Sequence, residues 1–441
     1  MANHQAFCIF PFYNKSYVMG YWLVETEEQL KEFEQQQHQE VFVEVIPFDN
    51  REHPYENEVC AVYIFPLNSQ KGFILPVSHN ETLSLKINEI ERILNTFKSV
   101  YVRDKKEFMH YFLLKALYNT PLPPNTYIQL TQAHTFFYNK FKTKADINRI
   151  IPIVKHYEYC NAIYEAVKPN LEKNVNEFFN TKACLVYNKL EQSGLRIDKP
   201  KFSSYFYPTD KEYVYTQYNL NTLTTRPSNK FKGVNYAALN KSNKERESFI
   251  PRNDYFIDLD VSAYHPTILS RLVGYEYGDG DIYEALAQVY KMDREEAKIL
   301  TLKQINSKAL AEYEDLEFFR KVGDYKNKMW EKFQNEGVVE VPISNHRFYK
   351  SELEDMNPGK LLNYLLQACE LAMNVKIMWD MFRVLRGKET KLVLCVYDSW
   401  LLDVVDTEGE VILENITDIF KKYKLNYTLN KGKDYDFGEE Y

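Results

Sequence analysis

The stretch that decides the fold class is YFIDLDVSAYHPTIL, residues 255–269, where a short apolar strand runs directly into a helix. Asp258 and Asp260 are two residues apart, so on a strand their carboxylates lie on one face. Ile257 and Leu259 then lie on the opposite face, which suits a strand that packs on an apolar core. The pattern therefore predicts a strand that presents two acids on one side.

A further acid stands in the apolar hairpin that is predicted for KLVLCVYDSWLLDVV, residues 391–405. Asp398 occupies its tight turn, where a carboxylate often serves only to form the turn. Together with Asp260 it allows a second interpretation, because carboxylates from two neighbouring strands can bracket two Mg²⁺ ions, with Mn²⁺ as the alternative ion. Such ions activate an attacking hydroxyl group and stabilise a leaving pyrophosphate.

The segment DREEAKILTLKQINSKAL, residues 293–310, predicts a helix that is capped by Asp293. Arg294 and Lys298 are four residues apart and share one face of this helix. Two cations in this arrangement suit a nucleotide triphosphate, because phosphoryl transfer needs positive charge around the phosphates. The alternative interpretation is an ordinary solvated helix face.

The composition of the 441 residues indicates a globular protein, with 45% hydrophobic and 27% charged residues. This length suits two or three domains. The net charge of −7 argues against a protein that coats nucleic acid, but it allows a local basic surface beside an acidic metal site. The chain has no run of 18 apolar residues, no secretion-signal pattern and no CxxC spacing among its six cysteines, so we expect a cytoplasmic protein outside the membrane.

The rest of the chain divides according to its hydrophobic pattern. Residues 20–112 alternate β-like and helical runs, which predicts an α/β or α+β domain. One helix is predicted for KKEFMHYFLLKAL, residues 105–117, and residues 144–195 are helical almost throughout. Two further long helices are predicted for residues 314–336 and 359–387.

Basic residues outnumber acidic ones across residues 226–252, a run that begins at Arg226 and includes Lys230 and Lys232. A solvated loop is the simple interpretation of this run. A surface that contacts nucleic-acid phosphates is the alternative, because the run comes directly before the strand that carries the acids.

The order of these segments resembles that of family A DNA polymerases, and is most like that of their compact bacteriophage members. DLDVSAYHPTILSRL resembles motif A, DREEAKILTLKQINS resembles the fingers helix of motif B, and VYDS resembles motif C. FFNTKACLVYNKLEQSGLRID, LTTRPSNKFKGVN, GDIYEAL and KLLNYLLQACE are similar to the segments around them. The matches follow one order over residues 175–441, which makes them far more specific than any single motif.

The resemblance implies a role for each matched position. Asp260 and Asp398 are expected to hold the metal ions, and Lys298 completes the catalytic set. The residues expected at the incoming dNTP are Arg294, Lys298, Leu302 and His265. The residues expected at the DNA are Arg226, Asn363, Gln367, Lys230 and Lys232.

Several positions differ from the family pattern. His265 replaces a glutamate that helps the family to exclude ribonucleotides. An imidazole would then be the steric gate beneath the sugar 2′ position, and the choice between deoxyribose and ribose stays open. Leu302 replaces an aromatic residue. Tyr397 and Ser399 replace the outer residues of motif C, which leaves Asp258 as the candidate for a compensating carboxylate.

The resemblance implies an α+β, right-hand polymerase fold that is preceded by an RNase H-like α/β domain of the exonuclease type. The expected divisions are a degenerate 3′–5′ exonuclease-like domain (1–165), a reduced thumb with the start of the palm (166–225), palm with motif A (226–280), fingers with motif B (281–345), and palm with motif C (346–441).

Two of these divisions are expected to lack features that the family has. The first domain is expected to lack proofreading activity, because only Glu44 stands near an expected acid, while Phe108 and Asn161 replace two others. The short connection over residues 198–226 leaves little room for a thumb. A processivity factor, or the N-terminal domain, would then have to hold the duplex DNA.

The expected function is a template-directed DNA polymerase that adds dNMP to a primer 3′ end. Its partners would be primer–template DNA and dNTPs, in phage replication within the host bacterial cytoplasm. An RNA or mixed-sugar polymerase stays open because of His265, and a non-catalytic DNA-binding replication factor stays open because of the altered motif C. A two-metal nuclease with the same carboxylates is a third alternative.

Overall fold

The computed structural model describes residues 21–122, 145–171, 178–229, 233–239, 242–278, 280–306, 313 and 315–438. The chain divides into two compact units, Met1–Val175 and Asn176–Tyr441. Among the helices that the structure describes, none has the length and apolar character needed to cross a membrane.

The first unit contains a six-stranded mixed sheet in the order β1-β4-β3-β2-β5-β6. Its strands are β1 Tyr21–Leu23, β2 Glu40–Pro47, β3 Val59–Pro66, β4 Gly72–Pro76, β5 Ser99–Val102 and β6 Leu117–Asn119. Its α-helices are α1 Glu27–Gln35, α2 Ile87–Leu94, α3 Lys105–Phe108 and α4 Ile153–Val167. The alternation of β-like and helical runs that is predicted for residues 20–112 is confirmed.

Apolar clusters cover both faces of this sheet, so β3 is buried along its whole length. Ile90 of α2 belongs to the cluster on one face, and Ile163 of α4 belongs to the cluster on the other. The unit is therefore a three-layer α/β arrangement, as its alternating pattern predicts.

The single helix predicted for residues 105–117 is wrong. Only α3 is helical, and the chain then returns to form β6, which pairs parallel with β5. The buried Lys105 stabilises the connection from α3 to β6, because its ammonium group donates a hydrogen bond to the Leu117 carbonyl oxygen at 2.7 Å. Pairing with a distant strand overrides the local helical pattern here.

The second unit is built from eleven short strands and eight α-helices in the part of the chain that the structure describes. Its strands are β7 Leu195–Ile197, β8 Tyr213–Val214, β9 Tyr218–Asn219, β10 Ser228–Asn229, β11 Phe249–Ile250, β12 Tyr255–Val261, β13 Val338–Glu340, β14 Arg347–Tyr349, β15 Lys391–Val396, β16 Ser399–Val404 and β17 Tyr427–Gly432. Its helices are α5 Cys184–Glu191, α6 Lys199–Tyr205, α7 Tyr264–Leu272, α8 Ile282–Tyr290, α9 Arg294–Asn306, α10 Glu317–Glu336, α11 Pro358–Val384 and α12 Asp406–Lys422.

The central sheet of this unit is antiparallel, in the order β15-β16-β12-β17. Ile257 and Leu259 of β12 join the main apolar cluster, to which α7, α11 and α12 also contribute. Phe256 on the opposite face of β12 joins a separate cluster with β7, β11 and β15. The alternation predicted for β12 is thus confirmed, as are the hairpin and the helices α9, α10 and α11.

Helix α11 is the longest element of the unit and is buried along most of its length. Its start follows local rules, because Pro358 stands at the first helical position and the Asn357 side chain accepts a hydrogen bond from the Lys360 amide at 2.9 Å. The connection between Asp198 and Arg226, which the structure describes in full, contains α6 and the two-residue strands β8 and β9.

Candidate active site

Asp260 and Asp398 lie at the same end of two neighbouring strands. The antiparallel register of β12 and β16 pairs Asp260 with Ser399, the residue after Asp398. The ladder continues one step further, where the Val261 amide donates a hydrogen bond to the Asp398 carbonyl oxygen at 2.9 Å. The structure therefore brings together two acids that are far apart in the chain.

The Asp398 carboxyl group ionises less readily than an ordinary aspartate. Burial raises its pKa from 3.8 to about 6, and the negative charges of Asp260 and Glu370 add to the rise, while Arg226 opposes it. Asp260 is exposed and Asp398 is half-buried. Two like charges held this close repel each other, and a bound cation would relieve the repulsion.

The turn that carries Asp398 is held in place by α11. Tyr397 has a positive φ of 55°, a left-handed conformation that residues other than glycine adopt infrequently. The buried Asn374 side chain donates a hydrogen bond to the Tyr397 carbonyl oxygen at 2.6 Å and accepts one from the Tyr264 hydroxyl at 2.8 Å. One amide thus fixes the turn to the helix that follows β12.

Two further residues next to the site have left-handed backbone. Thr225, which precedes Arg226, has a φ of 63°, and Ala263, at the start of α7, has a φ of 53°. Thr225 is β-branched, for which this conformation is a genuine outlier.

Asp258 is engaged by a neighbouring side chain. It is buried, and the Ser399 hydroxyl donates a hydrogen bond to its carboxylate. In the ranges that the structure describes, no group of three or more His, Cys, Asp or Glu side chains is placed to hold a metal ion. The acidic site therefore consists of the Asp260 and Asp398 pair, with Asp258 bound to Ser399.

The pair nevertheless fits a hard divalent cation. Mg²⁺ takes oxygen ligands and is commonly held by one or two carboxylates, with water and substrate phosphates as its other ligands. Asp260 and Asp398 supply such oxygens, and burial together with the negative charges of Asp260 and Glu370 raises the pKa of Asp398. The donor chemistry and the local charge thus both suit Mg²⁺ or Mn²⁺.

Glu370 is a site residue that the sequence reasoning missed. Its side chain on α11 is 2% exposed. One carboxylate oxygen accepts a hydrogen bond from Arg226 Nε at 3.0 Å, and the other lies 2.5 Å from His265 Nε2. An acid in the mostly apolar stretch LLQACELAM was the available signal, because a glutamate is almost never fully buried without a partner.

Arg226 is fixed on two sides. Besides its bond to Glu370, its guanidinium carbon lies 3.7 Å from the centre of the Tyr397 ring, in a cation–π stack. Its side chain is 27% exposed, so part of it faces solvent. The predicted DNA contact therefore stands directly beside the turn that carries Asp398.

The cations predicted for the triphosphate lie on the exposed side of α9. Arg294 pairs with Asp281, the cap of α8, and with Glu295. Lys298 Nζ is 3.7 Å from Glu295. Leu302 follows one turn later and is 36% exposed. The spacing of four predicted for these side chains is present, and acids now accompany both cations.

Tyr283 connects α9 with the acidic pair. Burial raises the pKa of this hydroxyl to about 12, with further contributions from Asp281 and Asp398, while Arg294 opposes the rise. The Arg294 guanidinium also lies 5.7 Å from the Tyr283 ring. The charges of both Arg294, the predicted triphosphate cation, and Asp398, the predicted metal ligand, thus affect the pKa of this buried residue.

The polar pair on α11 has the expected geometry. Gln367 Nε2 donates a hydrogen bond to Asn363 Oδ1 at 3.1 Å, and both side chains are half-buried on one face. Lys230 and Lys232 lie outside the described residues. Of the described basic residues nearby, Arg252 binds the Asp403 carboxylate and has a structural role.

In the first unit, an ion pair occupies the place expected for catalytic acids. The Glu44 carboxylate is buried and accepts a hydrogen bond from Arg103 at 2.7 Å. Burial raises the pKa of Glu44, and Arg103 opposes that rise. Phe108 is buried, and Asn161 accepts a 3.4 Å hydrogen bond from the Tyr63 hydroxyl. Arg103 thus already supplies the positive charge that Glu44 faces.

Comparison with solved structures finds a similar fold in the POL domain of Pol1 from M. smegmatis, in complex with DNA primer-template and dNTP. The TM-score is 0.66 with 12% sequence identity, and the match covers 95% of this chain and 99% of that chain. No protein-family model matches the sequence, and no curated protein matches it either.

The fold is therefore that of a polymerase domain, and the expected α+β fold class is confirmed. More particularly, it is similar to the polymerase domain of a bacterial Pol1, in agreement with the resemblance to family A. At this sequence identity the likeness extends to the fold alone, so the activity follows as a proposal.

Proposed function

We propose that this protein is a template-directed DNA polymerase that extends a primer 3′ end with dNMP. The observation that carries the proposal is the pairing of Asp260 and Asp398 across β12 and β16, on the fold of a polymerase domain. In the reaction, the primer 3′ oxygen forms a bond to the α-phosphorus of a dNTP, and the bond from that phosphorus to pyrophosphate breaks.

Asp260 and Asp398 would hold two Mg²⁺ ions, whose chemistry is to lower the pKa of the primer hydroxyl group and to neutralise charge on pyrophosphate. Arg294 and Lys298 bind the triphosphate, and Lys298 faces the leaving group as a further catalytic residue. For this, the phosphates replace the acids that now accompany both cations. Leu302 packs against the incoming base.

The remaining roles concern the sugar and the DNA. His265 lies beneath the sugar of the incoming nucleotide. Arg226, Asn363 and Gln367 contact primer and template from the same side of the site, and Lys230 and Lys232 contact the DNA backbone. The partial exposure of the Arg226 side chain and the hydrogen-bonded pair Asn363 and Gln367 on α11 support this assignment.

A primer-extension assay with Mg²⁺ and dNTPs tests the function. We expect the wild-type protein to extend a primer, and Asp260→Asn and Asp398→Asn to lose extension by several orders of magnitude while DNA binding persists. The matched control is Asp418→Asn, which removes an acid that is 75% exposed on α12. Extension by Asp398→Asn at the wild-type rate would overturn the assignment, and DNA binding without extension by the wild type would favour a non-catalytic replication factor.

We further propose that the first unit lacks proofreading activity, since Arg103 neutralises Glu44 in its core. We expect 3′-labelled single-stranded DNA to stay intact with Mg²⁺ or Mn²⁺ in the absence of dNTPs. Shortening of the 3′ end that persists in Asp260→Asn would refute this. Shortening that disappears in that variant would instead favour a nuclease in the second unit.

A role in phage replication within bacterial cytoplasm completes the proposal, supported by the compact chain and the resemblance of its motifs. The short connection over residues 198–226 supports a processivity factor as partner. We expect the isolated protein to release DNA after few additions on a long template. Long products made under single-encounter conditions would contradict this expectation.

A further inference from the structure

Glu370 has no role in the function proposed above, yet it lies at the centre of the site. Its carboxylate is buried on α11 and both of its oxygens have partners. Burying a carboxylate is unfavourable unless it is paired and hydrogen-bonded, so its two partners explain its place. They come from different elements, Arg226 from the segment before β10 and His265 from the first turn of α7.

These contacts connect both acid-bearing segments. On one side, Arg226 stacks on Tyr397, which directly precedes Asp398. On the other, His265 lies in the helix that follows Asp260. The Glu370 charge also reaches the Asp398 carboxyl group. A single buried side chain thus contacts both a residue that packs on Tyr397 and a residue in the helix that follows Asp260.

The contact has a chemical consequence for His265. When Nε2 bonds to Glu370, the imidazole ring cannot rotate freely, although the His265 side chain is still 26% exposed. A carboxylate that orients an imidazole in this way fixes both its tautomer and its direction. The contact therefore holds the ring in one defined orientation in the helix that follows Asp260.

We propose that Glu370 is a positioning residue that holds the His265 ring rigid and thereby sets discrimination between dNTPs and NTPs. This inference rests on the proposed function, in which the sugar of the nucleotide meets His265. A ring held on Glu370 cannot move aside for a 2′-hydroxyl group, whereas a ring without that contact can.

The test compares Glu370→Met with Glu370→Gln, two substitutions of similar length. Glutamine still accepts a hydrogen bond from Arg226 and still bonds to the imidazole, whereas methionine does neither. The measurement is the ratio of kcat/KM for dATP to that for ATP in primer extension. We expect Glu370→Met to lower this ratio about tenfold, the usual size of effect for a positioning partner, and Glu370→Gln to stay near wild type.

A second variant keeps the test independent of the folding of Glu370→Met. His265→Ala leaves Glu370 paired with Arg226, and we expect it to lower the same ratio at least as far. Adding Glu370→Met to His265→Ala should then cause no further loss, because both act through one ring. An unchanged ratio in His265→Ala, an unchanged ratio in folded Glu370→Met, or losses that multiply in the double variant would overturn the proposal.

These outcomes are distinct from a failure of the proposed function. If the wild-type protein extends a primer and the ratios do not move, only the inference about Glu370 is wrong. If the wild-type protein extends no primer, the proposed function itself is wrong. A purely structural role for Glu370 would lower thermal stability and affect dATP and ATP equally, and that result also overturns the inference.

Discussion

The substitution Asp398→Asn should stabilise the protein in the absence of divalent cations. The ionised Asp398 carboxylate is disfavoured in the fold by burial and by the charges of Asp260 and Glu370. A change in pKa from 3.8 to about 6 corresponds to about 3 kcal/mol at neutral pH. Because the group is half-buried and water screens part of the repulsion, we expect about 1–2 kcal/mol of stabilisation.

The pH dependence follows from the direction of the shift. The folded protein binds the Asp398 proton more tightly than the unfolded chain does, so this group makes the wild type more stable as the pH falls from about 6 to about 4. Its destabilising effect is fully present above pH 6. The advantage of Asp398→Asn should therefore be largest at pH 7.5 and disappear near pH 4.

Thermal unfolding in EDTA, followed by circular dichroism at pH 7.5 and pH 4, provides the measurement. For a unit of this size, about 1–2 kcal/mol corresponds to a rise in Tm of about 2–6 °C. Asp418→Asn serves as the control for loss of an exposed acid. The reasoning would be refuted by a Tm of Asp398→Asn at or below that of wild type at pH 7.5, or by an advantage that persists at pH 4.

Three further predictions follow from other contacts. Mg²⁺ should raise the Tm of the wild type more than the Tm of Asp398→Asn. For the wild type the rise should be smaller at pH 5 than at pH 7.5, because protonation of Asp398 competes with the cation. Equal rises in the two proteins, or at the two pH values, would contradict this. Asn374→Ala should lower the free energy of unfolding by about 2 kcal/mol in urea titrations, since the Tyr264 and Tyr397 groups lose a buried partner; an unchanged midpoint would contradict this. Arg103→Ala should destabilise the first unit by about 3–5 kcal/mol, because Glu44 stays buried without its cation, and Glu44→Gln added to it should restore part of the loss.

Local pattern was sufficient to place the acids. The two-residue period of β12 determines which face carries Asp258 and Asp260, and the turn of the hairpin determines where Asp398 stands. An ordered set of motifs then identified which strands are neighbours. The faces of the acids could be predicted because they depend on residues that are close in the sequence, whereas the pairing of the two strands was implied only by the resemblance.

What the sequence did not show depends on distant partners. Glu370 meets Arg226 and His265 from separate elements, and no spacing rule connects the three. Likewise, the helix predicted for residues 105–117 ends early because β6 pairs with β5, a contact that local pattern does not contain. Of the two acids beside Arg294, Asp281 comes from the cap of another helix, α8.

The left-handed backbone at Thr225 has a practical consequence for engineering. A β-branched residue in this conformation is strained by about 1–2 kcal/mol, which glycine would not be. Thr225→Gly is thus a rational first step toward a more heat-resistant form, because it touches neither carboxylate. The next residue is Arg226, however, so a more flexible backbone at residue 225 would also loosen the position of the proposed DNA contact.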